Sequence, residues 1–313
     1  MADVVHVVAG VLRDAQNRIL LTERPPGKHL AGLWEFPGGK CEPGEASAEA
    51  LRRELDEELG IAVGSVEPLI AVPWRYAEKT IVLDVFLVRD YSGEPHGREA
   101  QRLRWVACED LADVPMPPAD RPVVAALRLP RHYVITQEPE SVDACLRDLG
   151  RLLEAGWKFI QLRSKRLPRS AHAEIVHRAH AQARAAGATL LLNLPDGIEL
   201  ARELDGAGVH LPAAELMRSK ARPLPLERWI GASCHDAAEL VHAAAIGVDF
   251  AVLGPVLPTA SHPGAATLGW AGFAELCAAA PLPVYALGGL ALADLPRAVA
   301  AGGHGVAGIS AFA

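Results

Sequence analysis

The sequence lacks the features that mark several broad classes of protein. It has no block of basic residues, and its 31 Lys and Arg are outnumbered by 38 Asp and Glu, which gives a net charge of −7. We therefore expect neither a nucleic-acid polymer nor an anionic membrane as a partner. The N-terminus has no basic region followed by an apolar core, and no segment approaches 18 uninterrupted apolar residues. The sequence thus predicts neither an export signal nor a membrane span.

Cysteine is also scarce. The five cysteines are scattered along 313 residues and form no CxxC pair. An odd and dispersed set argues against a disulfide framework and favours free thiols in a reducing cytoplasm. Half of the residues are apolar, which suffices for well-buried cores in two domains.

The most informative stretch that is present begins at Gly39. Five residues separate Gly39 from Glu45, and seven more lead to Arg53-Glu-Leu-Asp-Glu-Glu-Leu-Gly-Ile61. Residues 46–59 are rich in good helix formers, and Gly60 stands where a glycine ends a helix. We therefore predict one helix over this stretch.

Three carboxylates share one face of that helix, because Glu54, Glu57 and Glu58 stand at i, i+3 and i+4. Carboxylates so close repel each other unless a cation lies between them. Hard Mg²⁺ or Mn²⁺ prefers oxygen ligands of this kind. The alternative interpretation is an ordinary solvated acidic face.

The spacing of these residues is that of the Nudix box, and residues 1–129 resemble the MutT-type Nudix hydrolases, which include 8-oxo-dGTP diphosphatases. Other matching pieces are Gly10, Thr22-Glu-Arg24, Leu33-Trp-Glu-Phe-Pro-Gly-Gly-Lys40, Gly97-Arg-Glu99 and Pro117-Pro-Ala-Asp120. The resemblance implies an α/β/α sandwich. It also implies a Mg²⁺-dependent hydrolase that cleaves a nucleoside triphosphate to the monophosphate and pyrophosphate, as in nucleotide-pool sanitation and DNA repair. 8-oxo-dGTP is the first-choice substrate, and a cytidine nucleotide is the alternative.

The same resemblance implies roles for individual residues. The metal ligands would be the Gly38 carbonyl with Glu54, Glu57, Glu58 and Glu99, the last of which binds metal or helps to deprotonate the attacking water. Arg53, paired with Glu45, would hold the helix against its loop and support catalysis. Arg24 would meet the phosphates or the base, and Phe36 would line the base pocket.

Asp120 departs from the MutT pattern, which has Asn at this position. An ionised Asp accepts hydrogen bonds only, which suits the exocyclic amine of cytosine, adenine or guanine. A protonated Asp would already donate, as Asn does. The third alternative is that Asp120 is the N-cap of a short final helix through residues 121–128, in which Pro122 lies near the first turn.

From residue 131 onward, short β-branched runs alternate with Ala-rich helical runs. The predicted strands cover residues 132–136, 159–163, 189–193, 208–211, 229–234, 250–256, 283–289 and 305–310. Eight such strands with helices between them predict a (β/α)₈ TIM barrel over residues 131–313. The overall fold class is therefore α/β, a Nudix sandwich followed by a barrel that lacks its last helix. We expect the first domain or another subunit of a homo-oligomer to cover that flank.

Several short pieces lie near the predicted strand ends: Gln161-Leu-Arg163-Ser-Lys165, Asn193, Val209-His-Leu-Pro212, Gly231-Ala-Ser233-Cys-His235, Leu253-Gly-Pro255-x-x-Pro-Thr259, Gly288-Gly289 and Ile309-Ser310. In these pieces the barrel resembles the thiamine phosphate synthase/TenI group. The resemblance implies that His235 is the catalytic proton shuttle of a thiazole tautomerase. It also implies that a thiazole or thiamine phosphate ligand is bound by Gln161, Arg163, Lys165, Asn193, Ser233, Thr259, Gly288, Gly289 and Ser310.

The synthase pattern is imperfect in its acidic residues and in one lysine. Leu194-Pro195 separate Asn193 from Asp196, the second acidic ligand is present only as Glu215, and the residues around Ser261-His262 replace an expected lysine. Three alternatives stay open for the barrel: a thiamine phosphate synthase, a tautomerase or thiazole-phosphate binder, and a non-catalytic sensor. In the first two, the Nudix domain would hydrolyse a pyrophosphate of the same pathway.

Overall fold

The structure is a computed structural model that describes residues 4–259, 264 and 266–309. Contacts within the chain divide it into two compact units, Met1–Leu129 and Pro130–Ala313. Every helix in the described residues is too short or too polar to cross a lipid bilayer.

The first unit is built from short sheets and two helices. Its strands are β1 (Val4–Val11), β2 (Ile19–Glu23), β3 (Trp34–Glu35), β4 (Gly38–Lys40), β5 (Ala62–Val63), β6 (Val66–Arg75), β7 (Thr80–Val88), β8 (Tyr91–Ser92) and β9 (Leu103–Val106), and its helices are α1 (Ser47–Leu59) and α2 (Arg121–Arg128). The main sheet has the order β4-β1-β7-β6, and the smaller sheets have the orders β3-β2-β9 and β5-β8. Strands β1 and β7 run parallel, whereas the other pairs are antiparallel.

Helix α1 confirms the helix predicted over the Glu-rich stretch. It buries Ala50, Leu51, Leu55 and Leu59 on one side, against a core that includes Val8 and Leu20. Gly60 ends the helix in the left-handed conformation, with φ of 70°, and its N–H donates to the Asp56 carbonyl. Because the apolar residues of α1 face this core, its acidic residues lie on the opposite side of the helix.

The longest strand of the first unit, β6, was not predicted from the sequence. It contains Pro68 and Pro73, which ordinarily argue against a strand because proline cannot donate to the ladder. The strand lies at the edge of its sheet, and its register against β7 shifts between Pro68 and Ile70. An edge position and a bulge are the places where strand prolines are tolerated.

The second unit is a closed barrel. In the described residues its strands are β10 (His132–Ile135), β11 (Phe159–Arg163), β12 (Thr189–Asn193), β13 (Gly208–Leu211), β14 (Ile230–Cys234), β15 (Phe250–Leu253), β16 (Val284–Leu287) and β17 (Gly305–Gly308), in sequence order around the barrel. Its helices are α3 (Val142–Glu154), α4 (Arg169–Ala185), α5 (Gly197–Glu203), α6 (Ala213–Leu216), α7 (Ala237–Ala245), α8 (Gly269–Ala279) and α9 (Leu295–Ala300). All neighbouring strands are parallel. The predicted eight-stranded barrel is confirmed, and within the described residues no helix follows β17.

The interior of the barrel is aromatic. The ring of Tyr133 lies within 5.7 Å of the rings of Phe159, Phe250 and Tyr285, measured between centroids. Because alternate residues of a strand face the same side, Gln161 and Arg163 follow Phe159 on the inner face of β11. Polar groups therefore stand above the aromatic layer, at the end where the strands finish, which we call the barrel mouth.

Candidate active sites

Two glycines of β4 allow close approaches in the first unit. A Cβ on Gly38 would lie 2.1 Å from the Val8 carbonyl oxygen, and one on Gly39 would lie 2.1 Å from Glu54 Oε2. Only glycine therefore fits at either position without moving its neighbours. The Glu54 carboxylate consequently lies directly against the loop that leads into α1.

Arg53 joins that loop to the helix. Its guanidinium donates to both oxygens of Glu45 at 3.0 and 2.9 Å and to the Lys40 carbonyl at 3.0 Å. It also donates to Glu54 Oε1 at 2.9 Å and to Glu57 Oε2 at 3.3 Å. The expected contact between Arg53 and Glu45 is present, and its hydrogen bonds lower the pKa of Glu45 to about 2.

Glu58 contacts strand β4 at Gly38. The Gly38 N–H donates to Glu58 Oε2 at 3.2 Å. Burial raises the pKa of Glu58 to about 7, and the charges of Glu35, Glu99 and Glu54 add to this shift, although the Gly38 hydrogen bond opposes it. The negative charges of three other carboxylates therefore act on Glu58.

The remaining two predicted ligands are engaged elsewhere. The side chain of Glu57 is 59% exposed, and the carboxylate of Glu99 forms an ion pair of 3.1 Å with Lys28. In the part of the chain that is described, no three His, Cys, Asp or Glu side chains are gathered closely enough to hold a metal ion. In the described residues the predicted metal ligands therefore do not converge on one point.

The surroundings of Glu58 nevertheless suit a divalent cation. Its pKa is raised mainly by burial and further by the charges of Glu35, Glu99 and Glu54, and a cation would oppose both effects. Carboxylate and carbonyl oxygens are the hard ligands that Mg²⁺ prefers, so Glu54, Glu57, Glu58, Glu99 and the Gly38 carbonyl fit such an ion by their chemistry. Glu57 and Glu99 would need to turn inward to reach it.

Arg24 pairs with Glu35, whose charge acts on Glu58. Its guanidinium contacts Glu35 Oε2 and donates from Nε to the His29 carbonyl at 2.7 Å. Burial raises the pKa of Glu35 even though Arg24 opposes the shift. Sequence reasoning missed Glu35, although a carboxylate between Trp34 and Phe36 in a strand is an unusual buried charge and could have drawn attention to it.

Asp120 is buried, with 5% of its surface exposed, and lies in the 3₁₀ turn Pro118–Asp120. Asp120 is the N-cap residue of α2, as one alternative predicted, but its backbone is helical (φ −82°, ψ −19°) and its side chain caps no N–H of that helix. Burial raises the pKa of Asp120 to about 8, helped by the Glu35 charge, while Arg24 and a hydrogen bond from the Phe36 N–H oppose the shift. This shift favours the protonated carboxyl, so burial supports the alternative in which Asp120 donates a hydrogen bond over the alternative of an ionised acceptor.

The Phe36 ring belongs to the apolar core of the first unit and is 3% exposed. Its backbone N–H is the group directed at Asp120. Phe36 thus links the core to the predicted base site through its main chain.

In the barrel, one carboxylate organises the loop after β11. Glu138 accepts from Arg163 Nη1 at 2.7 Å and from the backbone N–H groups of Lys165 and Arg166 at 2.7 and 2.9 Å. Both predicted cations, Arg163 and Lys165, are therefore placed by Glu138. Sequence reasoning missed Glu138 because nothing in the local pattern around it indicates a partner 25 residues away.

Three further predicted residues lie at the strand ends. Gln161 and Asn193 are buried, and Gln161 Oε1 has no hydrogen-bond partner among the described residues. Ser233 Oγ lies 2.9 Å from His210 Nε2. The barrel mouth thus holds a set of neutral polar groups beside Arg163.

His235 is placed differently from these residues. Its side chain is 58% exposed, its Nδ1 lies 3.0 Å from Glu239 Oε2, and its backbone N–H donates to the same oxygen at 2.7 Å. The structure therefore holds His235 just before α7, tied to Glu239 of that helix and with its ring exposed.

The predicted phosphate cradle is partly described. Gly288 and Gly289 have φ of 105° and 66°, and a Cβ on Gly289 would lie 2.4 Å from the Pro258 carbonyl oxygen. Thr259 is half-buried. Ser310, Ser261 and His262 lie outside the described residues.

The two acidic residues that depart from the synthase pattern lie apart. Asp196 forms an ion pair with Arg169, whose Nε donates to Asp196 Oδ2 at 2.6 Å. Burial and the charge of Glu199 raise the pKa of Glu215, which lies on α6. As the structure describes them, Asp196 and Glu215 therefore form no contact with each other that could hold a shared ligand, since Asp196 pairs with Arg169 and Glu215 lies on α6.

Comparisons with known proteins cover both units. The NUDIX domain family matches residues 8–126, and the thiamine monophosphate synthase family matches residues 132–312. An 8-oxo-dGTP diphosphatase of Escherichia coli is 36% identical over 124 residues, which are 40% of this chain and 96% of the relative. A CTP pyrophosphohydrolase of the same organism is 38% identical over 122 residues, 39% of this chain and 90% of the relative. A putative thiamine-phosphate synthase 2 of Aquifex aeolicus is 33% identical over 186 residues, 59% of this chain and 99% of the relative.

Proposed function

The chain belongs to the NUDIX family through its first unit and to the thiamine monophosphate synthase family through its second, and on this premise we propose that the first unit is a Mg²⁺-dependent nucleoside triphosphate pyrophosphohydrolase. Its substrate is 8-oxo-dGTP or a related oxidised or cytidine nucleotide. Water adds to a phosphorus atom, the bridging P–O bond breaks, and the products are the nucleoside monophosphate and pyrophosphate. The names of the two Escherichia coli relatives support both substrate classes.

The observation that carries this proposal is the Glu58 carboxylate among Glu35, Glu54 and Glu99, with its pKa raised to about 7. Such crowding of carboxylates is unfavourable unless a cation shares the space. Glu54, Glu57, Glu58, Glu99 and the Gly38 carbonyl would hold one or more Mg²⁺ ions. The bound metal would neutralise phosphate charge and acidify water.

The protein's own residues supply the remaining functions. Arg53 holds Glu54 and Glu57 on the loop side of α1, and Glu45 holds Arg53. Arg24 offers a guanidinium to the substrate phosphates or base when it exchanges Glu35 for the nucleotide. Glu99, whose exposed pair with Lys28 is weak, is free to accept the proton of the attacking water.

Base selection falls to Asp120 in its protonated form. A protonated carboxyl donates one hydrogen bond and accepts another, as the amide of Asn does. This property removes the apparent conflict between Asp120 and the MutT pattern. It favours a base that presents a keto acceptor, and so it supports 8-oxo-dGTP over cytidine nucleotides near neutral pH.

For the barrel we propose that the mouth binds a phosphorylated ligand of the thiamine monophosphate type. Arg163 and Lys165, both placed by Glu138, supply positive charge beside the polar strand ends. Whether the barrel also catalyses a reaction depends on acidic residues that stand apart, and Asp196 is already paired with Arg169. Ligand binding without synthase turnover is therefore the form of the proposal that the geometry favours.

One panel of assays tests both parts. Purified full-length protein and Mg²⁺ are incubated separately with 8-oxo-dGTP, with each canonical nucleoside triphosphate, with hydroxymethylpyrimidine diphosphate and with thiamine diphosphate. The products of each reaction are then identified and quantified. Preferential conversion of 8-oxo-dGTP to its monophosphate supports the proposal. Preferential hydrolysis of either thiamine-pathway diphosphate would replace it with a pathway-specific hydrolase.

A further inference from the structure

A line of three side chains crosses the inside of the barrel. The Tyr133 hydroxyl lies 3.2 Å from His210 Nδ1, and His210 Nε2 lies 2.9 Å from Ser233 Oγ. Tyr133 and His210 are 0% and 2% exposed, whereas Ser233 is half-buried at the end of β14. The line therefore begins in the dry interior and ends at the barrel mouth.

The direction of the first hydrogen bond follows from the surroundings of Tyr133. Its ring is packed among Phe159, Phe250 and Tyr285, which offer its hydroxyl no acceptor, and the Tyr285 hydroxyl instead donates to the Pro130 carbonyl. Among the described residues, His210 Nδ1 is the hydrogen-bond partner that the Tyr133 hydroxyl has. A buried hydroxyl proton without an acceptor costs about 1–3 kcal/mol, so Tyr133 donates to Nδ1.

The second hydrogen bond then has only one possible direction. Burial and the charge of Lys165 lower the pKa of His210 to about 3, so the ring is neutral and carries one proton. Because Nδ1 accepts from Tyr133, that proton is on Nε2, and Nε2–H donates to Ser233 Oγ. The proton of the Ser233 hydroxyl is left to point elsewhere.

We propose that Tyr133 and His210 are positioning residues that fix the Ser233 hydroxyl as a hydrogen-bond donor directed at the barrel mouth. There the hydroxyl donates to an acceptor atom of a bound ligand, such as a phosphoryl oxygen. Lys165 supports this choice of ligand atom, because its ammonium is near enough to His210 to influence the ring. The identity of the ligand rests on the proposed function of the barrel, whereas the direction of the hydrogen bonds does not.

The direction is tested by ¹⁵N NMR of the histidine rings in the full-length protein. We expect His210 to be the Nε2–H tautomer from pH 5 to pH 8, with the signal assigned by its loss in His210→Gln. In Tyr133→Phe the donor to Nδ1 is gone, while Nε2–H keeps Ser233 as its acceptor, so we expect the ring to stay in the Nε2–H form and the Nδ1 signal to move to the position of a nitrogen without a hydrogen bond. Tyr285→Phe is the matched control, since its hydroxyl lies off the line, and it should leave the Nδ1 signal unchanged. An Nδ1–H or doubly protonated ring in the wild type would overturn the inference.

Binding of thiamine monophosphate, measured by calorimetry, tests the consequence. Ser233→Ala should weaken binding by about tenfold because it removes the donor, and His210→Leu combined with Ser233→Ala in a double variant should lose no more than Ser233→Ala alone. His210→Gln, whose amide can still donate to Ser233, should retain most of the affinity, while His210→Leu should lose about as much as Ser233→Ala. Additive losses in the double variant would overturn the inference.

The two measurements separate the inference from the proposed function. If the wild type does not bind thiamine monophosphate but shows the Nε2–H tautomer, the proposed ligand is wrong and the positioning role of Tyr133 and His210 stands. Thermal unfolding of each variant shows whether it is folded, and the two His210 substitutions provide the test if Tyr133→Phe is not.

Discussion

The Gly38 N–H donates to Glu58 Oε2 at 3.2 Å. This hydrogen bond joins strand β4 to the carboxylate of α1 whose pKa is raised to about 7. At the next residue, Gly39, an added Cβ would lie 2.1 Å from Glu54 Oε2. Gly38 and Gly39 therefore allow the backbone of β4 to approach the carboxylates of Glu58 and Glu54. The acidic face of α1 is shaped by this strand as much as by the helix.

The first prediction concerns Gly39→Ala. The new methyl would lie 2.1 Å from Glu54 Oε2, so the carboxylate must move. A displacement of about 1 Å in a catalytic group costs up to roughly 10²-fold, and we expect a loss of that order in kcat/KM for pyrophosphate release. Gly150→Ala, where an added Cβ meets nothing within 4 Å, is the control and should keep full activity. Wild-type activity in Gly39→Ala would show that the position of Glu54 is unimportant.

The second prediction concerns the stability of Asp120→Asn. The folded pKa of Asp120, about 8, is above the unfolded value of about 3.9. Between these values the folded state holds a proton that the unfolded state has lost, so wild-type stability falls as pH rises, by up to about 1.4 kcal/mol per pH unit from this group. Asn does not titrate, and the variant should gain stability relative to the wild type from pH 5 to pH 8. Urea unfolding of both proteins at several pH values checks this, and a constant difference would place the folded pKa of Asp120 near its ordinary value.

The third prediction concerns base choice by the same residue. At pH 6.5 Asp120 is protonated and donates as Asn does, so Asp120→Asn should leave the ratio of kcat/KM for 8-oxo-dGTP over CTP nearly unchanged. Above pH 9 the wild type becomes an ionised acceptor, and its ratio should fall below that of the variant by roughly 10- to 100-fold, the effect of one hydrogen bond to a charged group.

Two-substrate competition at both pH values measures this. Because the two nucleotides compete in one reaction, general effects of pH on the enzyme cancel in the ratio. A ratio that is independent of pH in the wild type would remove Asp120 from base selection and leave it to Arg24.

Much of the fold could be predicted because its signals are local. Helix α1 is confirmed from propensity and its terminal Gly60, and the barrel from the alternation of strands and helices after residue 131. Strand β6 could not be predicted, since Pro68 and Pro73 break the local pattern and only the edge position of the strand makes them acceptable.

The parts of the sites that were missed depend on contacts between distant residues. Glu138 with Arg163, and His210 with Tyr133 and Ser233, are brought together only by the closed barrel. The protonation of Asp120 likewise depends on burial near Glu35, and neither its residue type nor its spacing indicates this. The sequence therefore predicts which residues form the candidate sites, whereas the charge states of those residues depend on their three-dimensional surroundings.

The metal site on α1 is tested most directly by pyrophosphate release from 8-oxo-dGTP. The release is measured for the full-length wild type and for Glu57→Gln, with the Mg²⁺ concentration raised to saturation. We expect Mg²⁺-dependent activity in the wild type and a loss on the order of 10²-fold or more in the variant, because a charged ligand is removed. Glu49→Gln, on the exposed first turn of the same helix, is the control and should retain full activity. Full activity of Glu57→Gln at saturating Mg²⁺ would contradict the assignment of the metal site to the acidic face of α1.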